Sequence, residues 1–62
     1  MNKTEILNAV RKLSASQGFY GRLYEILTNG TEESEKFLNE MVEQKFTDVI
    51  DMVLWLEAWC RQ

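Results

Sequence analysis

The stretch Val49–Cys60, VIDMVLWLEAWC, is apolar at ten of its twelve positions, and only Asp51 and Glu57 interrupt it. At roughly 100° per residue, a helix places Val49, Met52, Val53, Leu56, Trp59 and Cys60 on one face. Ile50, Leu54, Trp55 and Ala58 are left spread around the other side. A helix that is apolar nearly all round must be covered nearly all round. The whole chain is 62 residues long and has little other mass with which to cover it. Two arrangements meet the requirement. Either the first three quarters of the chain wrap this helix completely, or its second face meets another protein. A symmetric dimer would bury Ile50, Leu54 and Trp55 on both copies at once.

Size and composition narrow the field further. A chain this short buries only about 60% of its unfolded surface, so its stability is a matter of a few kcal/mol. The single cysteine, Cys60, cannot form an internal disulfide, and without histidine or a CxxC pair no zinc site is expected. Self-association is the remaining aid. A hydrophobic content of 45% with 27% charged residues describes a globular chain rather than a disordered one. Met1-Asn2-Lys3-Thr4 leads straight into an amphipathic pattern, and the longest apolar run is five residues, 52–56. The expectation is a soluble, cytoplasmic protein with no membrane partner and a reduced thiol.

Upstream of the decisive stretch, caps and periods mark three more helices. Asn2 with Glu5 three residues later is a capping box, and Ile6, Leu7, Val10 and Leu13 form the stripe that follows. Ser14, Ser16 and Gly18 weaken that helix, and the serines are candidates to cap the next. Phe19, Tyr20, Leu23, Tyr24, Ile26 and Leu27 make the second stripe, stopped by Thr28-Asn29-Gly30. Thr31 caps a third helix whose first turn holds Glu32, Glu33 and Glu35, where the helix dipole favours carboxylates. Phe46 then precedes a cap formed by Thr47 and Asp48, the usual place for an apolar residue that fixes the chain's entry angle. Helices are expected near 3–15, 17–28, 32–44 and 48–60, in an all-α, compact bundle of three to four short helices forming a single domain. The expected core is Leu7, Val10, Leu23, Leu27, Leu38, Met41, Val42, Val53 and Leu56.

Little here carries chemistry. Without histidine, the commonest general base and metal ligand is missing. The acid pairs Glu32/Glu35, Glu40/Glu43 and Asp48/Asp51 lie opposite the apolar stripes, whereas a metal site inside a bundle needs carboxylates that face inward. Cys60 belongs to the apolar face of the last helix and reads as a buried, inert thiol. Ser14 and Ser16 have no partner to activate them. Neither an enzyme nor a cofactor is expected.

Charge is unevenly placed. Residues 1–30 carry a net +2 and residues 31–62 a net −5, which together give −3. The acidic half repels nucleic acid, although Lys3, Arg11 and Lys12 on the first helix could touch phosphates. A helix-turn-helix reading would send the helix after Gly30 into the groove, and its three glutamates oppose that.

The most distinctive short segment is SQGFYGRL, residues 16–23. Gly21 costs about 1 kcal/mol relative to alanine inside a helix, which suggests close approach of a neighbour. Arg22 could reach acids of the third or fourth helix. The aromatics fit a core, or a contact patch of the tyrosine-plus-arginine kind common at interfaces.

SQGFYGRL, with the later FTDVIDMVLWLE at residues 46–57, resembles a group of small proteins from Gram-positive bacteria, phages and integrated mobile elements that carries a QGFYGRL-type motif. The resemblance covers most of the chain and implies provenance, a bacterial or phage accessory protein. It implies no catalytic or binding residue.

The functional expectation is therefore a small non-enzymatic protein–protein interaction module. Its interface is expected at Tyr20, Arg22, Ile50, Leu54, Trp55 and Ala58, facing an unknown protein or a second copy. The alternative is a nucleic-acid-binding regulator that uses the basic first helix.

Overall fold

In the computed structural model, which describes residues 1–61, four helices follow one another: α1 (Lys3–Ser14), α2 (Gly18–Leu27), α3 (Glu32–Glu43) and α4 (Val49–Cys60). No strand occurs among the described residues, and each helix end falls within one residue of its sequence-based expectation. The caps explain that accuracy. Asn2 and Glu5 form the reciprocal box, with the Glu5 amide donating to Asn2 Oδ1 at 2.9 Å and the Asn2 amide to Glu5 Oε1 at 3.0 Å. Thr31 Oγ1 accepts from the Ser34 amide at 3.2 Å, and Asp48 Oδ1 accepts from the Asp51 amide at 3.0 Å. Each satisfies a backbone donor that a helix start would otherwise leave open.

The serines do not cap α2. Ser14 and Ser16 turn their hydroxyls back onto the carbonyls of Arg11 and Leu13, and Gln17 precedes α2 with no side-chain cap. Serine can bond its own preceding turn as readily as the next helix, and here the local bond wins. Between α2 and α3, Gly30 takes φ +80°, a left-handed conformation that glycine adopts without a Cβ penalty. Lys45 makes the same kind of turn after α3, at φ 53°.

α1, α2 and α3 pack on one another, and the backbones of α1 and α2 approach most closely. The backbone of α4 stands further off and reaches the core through long side chains. Ile6, Val10, Met41, Met52 and Leu56 are sealed from solvent, with Ala9, Tyr20, Leu23, Leu27, Leu38 and Phe46 around them. Phe46 is buried just before the α4 cap, as its position anticipated, and its carbonyl accepts from the Met1 amino group at 2.7 Å. That bond ties the start of α1 to the α3–α4 turn.

Three of the nine expected core residues, Leu7, Val42 and Val53, are only half-buried. On α1 the buried face centres on Ile6, Ala9 and Val10 instead of Leu7. On α4 the departure is larger. Met52 and Leu56 point inward as expected, whereas Val49, Trp59 and Cys60 are exposed and Trp55 is half-buried. Phe37 of α3 and Phe46 of the turn supply rings at 6.0 and 5.8 Å from Trp55, which draw that side of the helix inward.

Removing the Leu56 side chain beyond Cβ should cost about 2–5 kcal/mol, because the site is sealed and backbone alone cannot close it. Urea titration of Leu56→Ala is expected to show a chain that is largely unfolded or nearly so; a loss under 1 kcal/mol would mean α4 is peripheral. Gly21 is a different case. A Cβ there would meet Ser14 Cβ at 3.8 Å, an ordinary contact, so no close approach requires glycine. Gly21→Ala should raise stability by about 1 kcal/mol through helix propensity, read as a higher melting temperature.

Candidate protein-interaction site

Turning Trp55 inward leaves α4 with a narrower outer stripe. Ile50 is 68% exposed and Leu54 59%, one turn apart, and Ala58 continues the line one turn further. Asp51 and Glu57 border it. Ile50 and Leu54 thus make a short apolar stripe on successive turns, the kind of exposed apolar surface that makes a candidate contact.

The six residues expected at an interface separate into four groups. Ile50, Leu54 and Ala58 form the outer stripe. Trp55 is half-buried against Phe37 and Phe46 and is not free to meet a partner as a whole ring. Tyr20 is 5% exposed, its ring inside the core and edge-on to Phe19 at 5.2 Å. Burial pushes the Tyr20 phenol up from its ordinary pKa, with Glu57 and Cys60 adding to the shift. Arg22 is exposed and forms no ion pair with α3 or α4. SQGFYGRL is thus core and surface together: Tyr20 and Leu23 point in, Phe19 and Arg22 point out.

A second surface escaped the sequence reading. Phe19, Arg22, Leu23 and Ile26 of α2, Glu33, Ser34 and Phe37 of α3, and Trp59 and Cys60 at the end of α4 enclose an open groove of about 330 Å³. Phe37 and Trp59 line one wall, their rings 4.9 Å apart. Cys60 sits on its rim and is exposed, contrary to the inert buried thiol expected, because it opens onto the groove instead of the core. No sequence signal pointed to the groove, since it is made by residues from three helices whose relative placement periodicity does not fix.

The end of the groove is held by a polar knot. The Asn29 side chain accepts from the Thr31 amide at 3.0 Å, and the Thr31 hydroxyl donates to Ser34 Oγ at 3.0 Å. Ser34, buried, donates in turn to the Ile26 carbonyl, one of the acceptors that the end of α2 would otherwise leave open. The knot thus ties the last turn of α2 to the first turn of α3.

The acid pairs singled out above are all exposed. Among the described residues no three acidic or cysteine side chains gather closely enough to hold a metal ion. Among the described residues no helix is long and apolar enough to cross a membrane. Comparison with protein-family models, curated proteins and solved structures finds no match to this chain.

One titration reports directly on how α4 begins. The Asp51 carboxylate accepts from the Thr47 hydroxyl and from the Thr47 amide at 3.2 Å, and these bonds hold its pKa below the ordinary carboxylate value. A lowered folded pKa means that this contribution to stability is present above the unfolded value of about 3.9 and is lost as pH falls through the folded value. Thr47→Val removes the hydroxyl donor. The Asp51 carboxyl titration followed by NMR should then move upward; an unchanged midpoint would show that the hydroxyl does not hold it.

Proposed function

We propose that this chain is a small non-enzymatic helical interaction module that binds another protein through the outer stripe of α4. The supporting observation is the exposure of Ile50 and Leu54 on successive turns of a helix whose opposite side is sealed by Met52 and Leu56. An apolar stripe bordered by Asp51 and Glu57 suits a partner groove with apolar walls and a basic margin. The protein works in the cytoplasm without a cofactor, as a bacterial or phage accessory factor that acts by occupying its partner's surface.

A nucleic-acid-binding role rests on a different observation, the exposure of Lys3, Arg11 and Lys12 on α1. The net charge of −3 and the exposed acids of α3 oppose it.

Affinity capture from the native host, comparing the wild type with Leu54→Glu and with the control Glu40→Lys, tests the first reading. The expected result is one protein retained by the wild type and the control and lost with Leu54→Glu, all three variants keeping the same helical circular dichroism. A partner retained equally by all three contradicts the stripe. In a duplex-binding assay at physiological salt no retention is expected; sub-micromolar, salt-sensitive retention lost with Arg11→Glu would favour the regulator.

A further inference from the structure

The groove between α2, α3 and the end of α4 differs in character from the outer stripe. Three large side chains on its walls, Phe19, Ile26 and Trp59, are each about half exposed. Its lining holds one cation, Arg22, and one anion, Glu33, both exposed. Neither is paired, the ion pair among the described residues being Lys36 with Glu32 at 3.8 Å. An apolar face with one unpaired charge of each sign is complementary to itself. A two-fold axis running through the contact, midway between the two charges, sets each charge against its opposite on the second copy.

We propose that this groove is the self-association surface of the chain, two copies meeting face to face with Arg22 of each against the partner's Glu33. A specific interface needs about 1,000 Å² in total, or about 500 Å² per copy, so the contact extends beyond the groove floor to the exposed faces of Phe19, Ile26 and Trp59. A small apolar ligand would cover the walls but leave both charges unanswered. The outer stripe of α4 is a poorer self-contact, because joining two copies there gathers two Asp51 and two Glu57 carboxylates at one seam. Joined through the groove, the pair leaves both outer stripes open. Where those stripes bind a partner, as proposed above, the dimer is bivalent and gains avidity without a new contact.

Sedimentation equilibrium from 1 to 300 μM on the wild type, Arg22→Glu, Glu33→Arg and the double reversal tests this, with circular dichroism confirming that each variant is folded. Symmetry makes each single reversal replace two attractive contacts with two repulsive ones. Each is expected to weaken the dimer about tenfold or more, and the double reversal to restore it to within a few-fold. A wild type that stays monomeric throughout overturns the proposal, as does a dimer that the double reversal fails to rescue. A dimer indifferent to all three variants but abolished by Leu54→Glu would move the contact to the outer stripe and overturn it as well.

Discussion

Two side chains, Met52 and Leu56, fasten α4 to the rest of the molecule, and everything else about this chain follows from how narrow that attachment is. Both are sealed from water, yet the backbone of α4 stands further from its neighbours than those of α1, α2 and α3 stand from one another. With one cysteine and no histidine, burial must hold the fold without a covalent or metal brace. The aromatic group of Phe37, Phe46, Trp55 and Trp59 widens the attachment on one side only. The opposite side of α4 is left apolar and uncovered.

That one-sided seating creates both surfaces. Because α4 turns Met52, Trp55 and Leu56 inward, Ile50, Leu54 and Ala58 have to face out. At its last turn Trp59 and Cys60 complete the groove, Trp59 packing beside Phe37 of α3. The polar knot of Asn29, Thr31 and Ser34 joins the end of α2 to the start of α3 at the far end of that groove. The two surfaces differ in the charge around them: Asp51 and Glu57 border the stripe, whereas Arg22 and Glu33 line the groove.

The helices themselves were legible in the sequence because their ends are local. Asn2 with Glu5, Thr31 with Ser34 and Asp48 with Asp51 are bonds between residues three apart, readable without any knowledge of the fold. The phase of each helix was less legible. On α1 the adjacent pair Ile6 and Leu7 differ by 100° around the axis, and only packing decides which is sealed. On α4, apolar nearly all round, the pattern carries almost no directional information, and distant Phe37 and Phe46 decided that Trp55 turns inward. Cys60 is a related case: it shares its phase with Leu56, yet at the last turn it stands exposed on the rim of the groove. The groove depends on three helices at once and left no trace in any single segment.

α4 is sealed on one side, open on the other, and stands beside the groove proposed to close against a second copy. Solvent paramagnetic relaxation of isoleucine and leucine methyl groups, measured by NMR across a concentration series, tests all three parts. The predicted result is no relaxation at Ile6 and Leu56 at any concentration, strong relaxation at Ile50 and Leu54 throughout, and relaxation at Ile26 that falls as concentration rises. Protection of Leu54 in dilute solution, or of Leu54 instead of Ile26 on concentration, would contradict it.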